Sequence, residues 1–286
     1  MIFHGNMMAA ARALTLAPRP APAALQLCHI PVARMAQPGA LTVRLARGVP
    51  MAGGAVFDMA KPREFFLVHR GTRTDLRASL SCCIARGVLN DAMAWETTLA
   101  LAQPGDHLLV TVAEPHWDAD ARVHVQQIAT ACVRLGPSGS DGATPLGLAA
   151  EIVPDPGASD LAPGGTLAGR VLAEGRPVPH AALEIECAEA DTVAGLRARG
   201  GGWILATADL SGRFRVRLPH AGLWAVAARG VGARQWHGPR PLRQDAVLWV
   251  RVTAPVSGRT AAGDAMCKVS APTSRDLSDV AKGVLT

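Results

Sequence analysis

The sequence predicts a mainly β protein of two β-sandwich-like domains, and three observations carry that expectation. Apolar and polar residues alternate over short stretches, the pattern of a half-buried strand. Glycine and proline pairs close those stretches, as turns require. No segment sustains the 3.6-residue period of an amphipathic helix. The pattern is plainest in TADLSGRFRVRLPHAGLWAVAA, residues 207–228. There Phe214, Val216 and Leu218 share one face while Arg213, Arg215 and Arg217 share the other, so one face is sealed and the other solvated.

The remaining elements follow in chain order. Leu41, Val43 and Leu45 alternate with Thr42 and Arg44 between Pro38-Gly39 and Gly53-Gly54, which predicts a strand. A second strand spans 64–68, closed by Arg70-Gly71, and a third spans 95–101. Pro104-Gly105 turns the chain into 107–112, where Leu108, Val110 and Val112 share a face. Residues 122–135 form a longer strand with an irregular start, and 76–89 have room for a short helical turn. The run Gly136-Pro137-Ser138-Gly139-Ser140-Asp141-Gly142 reads as a connector. Beyond it, Leu167, Gly169 and Val171 mark a strand, Gly175 a turn, 182–187 the return strand, 188–202 a long loop and 203–207 another strand. Trp224 and Val226 share a face of the next strand, and AVLWVRV at 246–252 is the last. Short strands at this spacing suit an antiparallel sandwich of about a hundred residues. The expected organisation is a leader or degenerate signal segment at 1–24 and an N-terminal β-rich domain at 25–135. A linker at 136–147, a C-terminal β-sandwich at 148–253 and a flexible tail at 254–286 complete it.

Composition narrows the function. The 286 residues are 49% hydrophobic and 18% charged, enough to bury one large core or two modest ones. The net charge of +6 comes mostly from arginine, lysine occurring only at Lys61, Lys268 and Lys282. It forms no basic run, and with aromatics at 4% and no tyrosine the composition argues against a nucleic-acid partner. The leader has a weak apolar run at 7–17 broken by Pro18, Pro20 and Pro22, with Arg12 inside it, atypical of a secretory signal. No stretch reaches membrane-span length. Adjacent Cys82 and Cys83 read as small residues in strand positions. Nucleophile elbow, P-loop, H-E-x-x-H and dinucleotide fingerprints are all missing, so the chain reads as a non-enzyme. Glu184 and Glu186 share a strand face without neighbours that would raise their pKa.

The chemistry that remains is imidazole. Nine histidines are present, and imidazole suits nickel, cobalt, copper and zinc. His116 sits just after one strand and His124 at the start of the next, within reach if the chain folds back, with Asp118 or Asp120 as an oxygen ligand. Cys28-His29 supplies a second pair near a mature terminus. The candidate metal set is therefore Cys28, His29, His116 and His124, for Ni²⁺ or Co²⁺, with Cu²⁺ or Zn²⁺ as alternatives.

Several motifs together resemble one family. They are AEIVPDPGASDLAPGGTLAGRVLAEGRPVPHAALEIE (150–186), TADLSGRFRVRLPHAGLWAVAA (207–228) and DAVLWVRV (245–252), with fainter likeness at 51–68, 75–80, 94–117 and 145–148. The chain resembles the DUF4198 proteins, NikK-like periplasmic accessory components of nickel and cobalt energy-coupling-factor transporters. The resemblance implies a second domain of carboxypeptidase-regulatory or immunoglobulin-like type. It also implies a periplasmic or extracytoplasmic location and a role in capturing metal for a membrane transporter component. The family's histidine positions match Ala24, Val49 and Gln127 here, and none is histidine, so the resemblance implies either a dismantled site or one rebuilt from the four candidates. The alternative is a structural or protein-binding β-sandwich module without metal.

Overall fold

The computed structural model describes residues 27–29, 33–49, 55–87, 89–136, 141–188 and 203–253, with the backbone alone at 27–29, 33–34 and 141. The expected leader at 1–24 and tail at 254–286 lie outside the described residues. So does nearly all of the loop at 188–202.

Strands follow one another with turns between them. The first half holds β1 (Leu27–His29), β2 (Ala33–Met35), β3 (Gly39–Gly48), β4 (Val56–Phe57), β5 (Glu64–His69) and β6 (Thr72–Asp75). It continues with β7 (Ser81–Arg86), β8 (Asp91–Leu101), β9 (Gly105–Val112), β10 (His116–Asp118) and β11 (Val123–Leu135). The second half holds β12 (Glu151–Pro154), β13 (Thr166–Ala173), β14 (Arg176–Pro177), β15 (Ala182–Cys187) and β16 (Trp203–Thr207). Then come β17 (Arg213–Arg217), β18 (Gly222–Ala228), β19 (Gln235–His237) and β20 (Arg240–Val252). The alternation read in the sequence is visible in β17, where Phe214 and Val216 are buried and the three arginines exposed. The helical turn expected within 76–89 shrinks to a single 3₁₀ turn, Arg77–Ser79, and the chain at once becomes β7. Cys82 and Cys83 occupy positions on that strand.

Three sheets stack in layers. A large sheet of order β16-β15-β18-β20-β11-β9-β5-β6 forms the middle, with β10 and β2 paired to β11 and β19 to β20. The small sheet β1-β3-β8-β7 covers one face of it, burying Val43, Leu45, Leu99 and Leu101 against Phe65, Leu109, Ala131, Val133 and Trp249. The sheet β12-β13-β14, with β17 on β13, covers the other face, where Ile152, Leu167, Val171, Phe214 and Val216 pack on Trp224, Val226, Leu248 and Val250. Phe66, Val68, Leu108 and Val110, on that same side of β5 and β9, are capped by Leu146 of the linker and by Leu148 just beyond it. The middle strands are thus buried from both sides. This is why β18 is buried at every residue and why its sequence reads as a continuous apolar run rather than an alternation.

One ladder joins the halves. β11 runs parallel to β20 from His124↔Leu242 to Ala131↔Trp249, whereas the pairs within the second half are antiparallel. Residues from 25–135 and 148–253 therefore share hydrogen-bonded backbone, and they fall in one compact unit. A second tie is ionic. Arg134 on β11 donates from Nε to Asp106 Oδ1 on β9 and from Nη1 to Asp160 Oδ2 in the second half, each at 2.7 Å. The close approach of β12 to β13 requires a glycine, because a Cβ on Gly169 would lie 2.5 Å from the carbonyl oxygen of Val153.

Candidate functional site

The parallel ladder sets the composition of a surface rich in imidazole and indole rings. β10 folds back on β11 with Trp117 opposite His124 and His116 opposite Val125. β20 runs alongside β11, and its hairpin partner β19 places His237 opposite Arg240. Gly238, with φ of 57°, makes the turn between them. These three ladders bring side chains from distant parts of the sequence to one place. The His124 ring lies 5.2 Å from the Trp117 ring and 4.6 Å from that of His237, both edge-on. The Arg240 guanidinium sits 4.1 Å over the Trp117 ring, within range of a cation–π contact. Trp236, opposite Pro241 and therefore on the other face of the β19–β20 hairpin, is 71% exposed. His124 Nδ1 is buried without a hydrogen-bond partner. Partial desolvation, then the neighbouring His237 and Arg240, push the His124 pKa down.

The four candidate ligands are not gathered by the ladder. His116 and His124 occupy opposite faces of the β10–β11 pair, because His124 shares a face with Trp117 directly opposite it and successive residues on a strand alternate faces. Trp117 accompanies His124, whereas His116 turns into a cavity of about 110 Å³ with Arg47, Asp58, Met59, Glu114 and Gln127. Cys28 and His29 lie on β1, opposite Arg47 and Ala46 of β3, so their backbone runs on the His116 side, and their side chains lie outside the described residues. Asp118, the candidate oxygen ligand, faces Arg243 at 3.6 Å and accepts the amide of Ala121. Among the described residues, no group of three or more His, Cys, Asp or Glu side chains is placed to hold a metal.

His237, Arg240 and Trp236 are functional candidates that the sequence reading did not select. Their local signal is the hairpin QWHGPR at 235–240, a turn glycine behind two aromatic rings. Nothing local says that β20 runs beside β11.

His116 carries a testable consequence. Burial, followed by the nearby Arg47 charge, lowers its pKa to about 4, against a usual value near 6.5. The native ring is therefore neutral where the unfolded chain's ring takes a proton. Its stabilisation is complete above about pH 6.5, falls as pH drops from there to about 4, and is flat below. Replacement by phenylalanine should flatten the stability profile of the protein between pH 7 and pH 4 by about 1–2 kcal/mol, after allowance for partial exposure. Urea unfolding of both proteins across that range measures it, and parallel profiles would refute it.

A family model described as "Domain of unknown function (DUF4198)" matches residues 24–232. Among solved structures, the titin Ig tandem domains A164-A165 are 11% identical, the similarity covering 80% of this chain and 96% of that one, with a TM-score of 0.20. A chimeric titin Z1Z2 functionalized with a KLER exogenous peptide from decorin is 11% identical over 81% and 97% of the two chains, with a TM-score of 0.21. Scores this low establish no common fold. No curated protein matches the chain. Among the described residues no helix is long and apolar enough to cross a membrane.

Proposed function

Because the chain belongs to the DUF4198 family over residues 24–232, we propose that it is a non-catalytic β-sheet binding module whose partner is another protein. The contact region is the rim formed by the β10–β11 and β19–β20 hairpins, with Trp117, His124, His237 and Arg240 on one face and Trp236 on the other. The observation that carries this reading is the pair of solvent-facing tryptophans, Trp236 at 71% and Trp117 at 39% exposure, the second clamped by Arg240. Tryptophan and arginine dominate the energetic centres of protein interfaces. Here the β10–β11 and β19–β20 ladders hold their backbones, which lowers the entropy lost on docking. The permanent charge of Arg240 favours a partner surface that carries carboxylates. The resemblance supports an extracytoplasmic location.

A photo-crosslinking residue placed at position 236 in the cells that make the protein tests the reading. One discrete adduct is expected, weakened by Arg240→Glu and missing when the probe replaces Leu210, which is equally exposed on the β16–β17 turn. Equal labelling from both positions, or none from 236, would overturn it.

A second reading keeps the family's metal chemistry. His124 and His237 lie ring to ring at 4.6 Å, and the NikK-like resemblance supports capture of nickel or cobalt for a membrane transporter component. Two imidazoles need further ligands from water or from the receiving partner. Calorimetric titration of the full chain with Ni²⁺, Co²⁺, Cu²⁺ and Zn²⁺ decides it. Submicromolar binding lost in His124→Ala and His237→Ala supports it, and weak binding indifferent to both removes it.

A further inference from the structure

A second pair of histidines stands apart from the tryptophan rim. His69 ends β5, and the β5–β9 register carries it beside His107. Their rings stack with centroids 4.1 Å apart and planes within 4°. Both line a cavity of about 710 Å³ between the large sheet and β8, a size that suits a small organic ligand. Its apolar wall is Leu67, Leu76, Leu99 and Leu101.

Two ring nitrogens there lack partners. His107 is 3% exposed, and its Nδ1 makes no hydrogen bond; neither does His69 Nε2. A buried polar atom left unmade is costly, so such atoms ask for a partner. His69 Nδ1 lies 2.9 Å from the carbonyl oxygen of Asp106. A carbonyl only accepts, so Nδ1 carries the proton, and in the neutral ring Nε2 is a bare acceptor. Protonation turns that atom into a donor.

The surrounding charge selects the ligand. Arg70 is the one permanently charged residue in the lining, and no Asp or Glu contributes to it. β8 and the turn after it offer only uncharged residues from Thr98 to Gln103, and β6 offers Thr72 and Thr74. Arg73 lies instead over the Phe66 ring, and the Asp106 carboxylate is turned to Arg134. A cation would meet Arg70 and no counter-charge. A metal ion is further disfavoured because parallel stacked rings aim their in-plane lone pairs side by side rather than at one point. A carboxylate meets all the terms. It accepts from a protonated imidazole, it is drawn by Arg70, and an apolar tail covers the leucines.

We infer that the cavity between β8 and the β5–β9 ladder binds a small organic carboxylate with an apolar tail, taking up a proton on the His69–His107 pair as it does so. The bound anion supplies the counter-charge that lets the imidazole pair hold its proton. Burial and the adjacent His69 otherwise lower the pKa of His107, against the pull of the Gly105 and Val133 carbonyls and of Asp106.

Calorimetry of the full chain with hexanoate, its neutral counterpart hexanamide and inorganic phosphate tests the inference. Hexanoate should bind more tightly at pH 6 than at pH 8, by up to about tenfold per pH unit, and two buffers of different ionisation heat should report proton uptake. Imidazole ¹⁵N shifts of His69 and His107 should move on binding. The half-buried His69→Gln and the buried His107→Phe should each lose hexanoate binding, the first serving as the test if the second fails to fold. Hexanamide binding as well as hexanoate would overturn the inference. So would phosphate alone moving the imidazole shifts, hexanoate binding without proton uptake, or no binding at either pH.

Discussion

Asp106→Ala should lower the unfolding free energy by about 3–5 kcal/mol, the cost of leaving one member of a buried ion pair without its partner. Arg134 and Asp106 are 4% and 2% exposed, so the orphaned guanidinium has little water to turn to. Asp160 remains at 2.7 Å from Nη1, but its carboxylate is 41% exposed and cannot restore the Nε bond. Removing Asp160 itself should cost much less for the same reason. Replacing Asp106 and Arg134 together by leucine and methionine should recover most of the loss, since apolar residues of similar volume leave no stranded charge. Urea denaturation of the three variants checks the order. The Arg134 network spans both halves of the chain, so a loss at Asp106 should appear as one cooperative transition at lower denaturant. Two separated transitions, or a loss under about 1 kcal/mol, would show that the halves are not tied at this point.

Trp224→Ala is the second large effect, again about 3–5 kcal/mol. The side chain is fully buried in the layer between β18–β20 and the β13–β17 sheet. Its indole Nε1 donates to the carbonyl of His220 at 3.1 Å. The substitution opens a cavity and strands that carbonyl, whereas Trp224→Phe keeps most of the volume and loses chiefly the hydrogen bond. Against a typical total of about 5–15 kcal/mol, Trp224→Ala should leave a marginal protein. Trp236→Ala is the contrast, because a tryptophan 71% exposed should shift stability by no more than about 0.5 kcal/mol. Thermal unfolding of the two tryptophan variants side by side measures the difference, and equal losses would refute the assignment of Trp224 to the core.

Particular strands show how far the sequence could be read. The return strand expected at 182–187 is β15, Ala182–Cys187, because Leu183 and Ile185 alternate cleanly between turn residues. The last strand was expected over 246–252 and begins six residues earlier, at Arg240. Its first stretch, RPLRQD, carries no apolar period because Gln244 and Asp245 are buried by pairing rather than by apolar packing. Gln244 donates to Gln126 across the parallel ladder, and Asp245 accepts from Gly230 and Arg243. The helical turn expected within 76–89 is confined to Arg77–Ser79 because Ile84 and Ala85 belong to an edge strand. At the candidate site, His116 and His124 were chosen for their spacing along the chain. That spacing left open which face each would occupy, and the pairing register separated them.

The sequence by itself determined the strand-rich architecture, the two-faced character of strands such as 213–217, the turns and the family. Each of these rests on a period of two or on residues adjacent in the chain. Only the tertiary structure decided that β11 runs parallel to β20, that β18 is buried on both faces, and that His124 meets His237 while His69 meets His107. The physical reason is that alternation says which side of a strand is apolar but not which strand lies beside it. Neighbours in a sheet are chosen by packing among residues far apart in the chain, about forty positions for β5 and β9 and more than a hundred for β11 and β20.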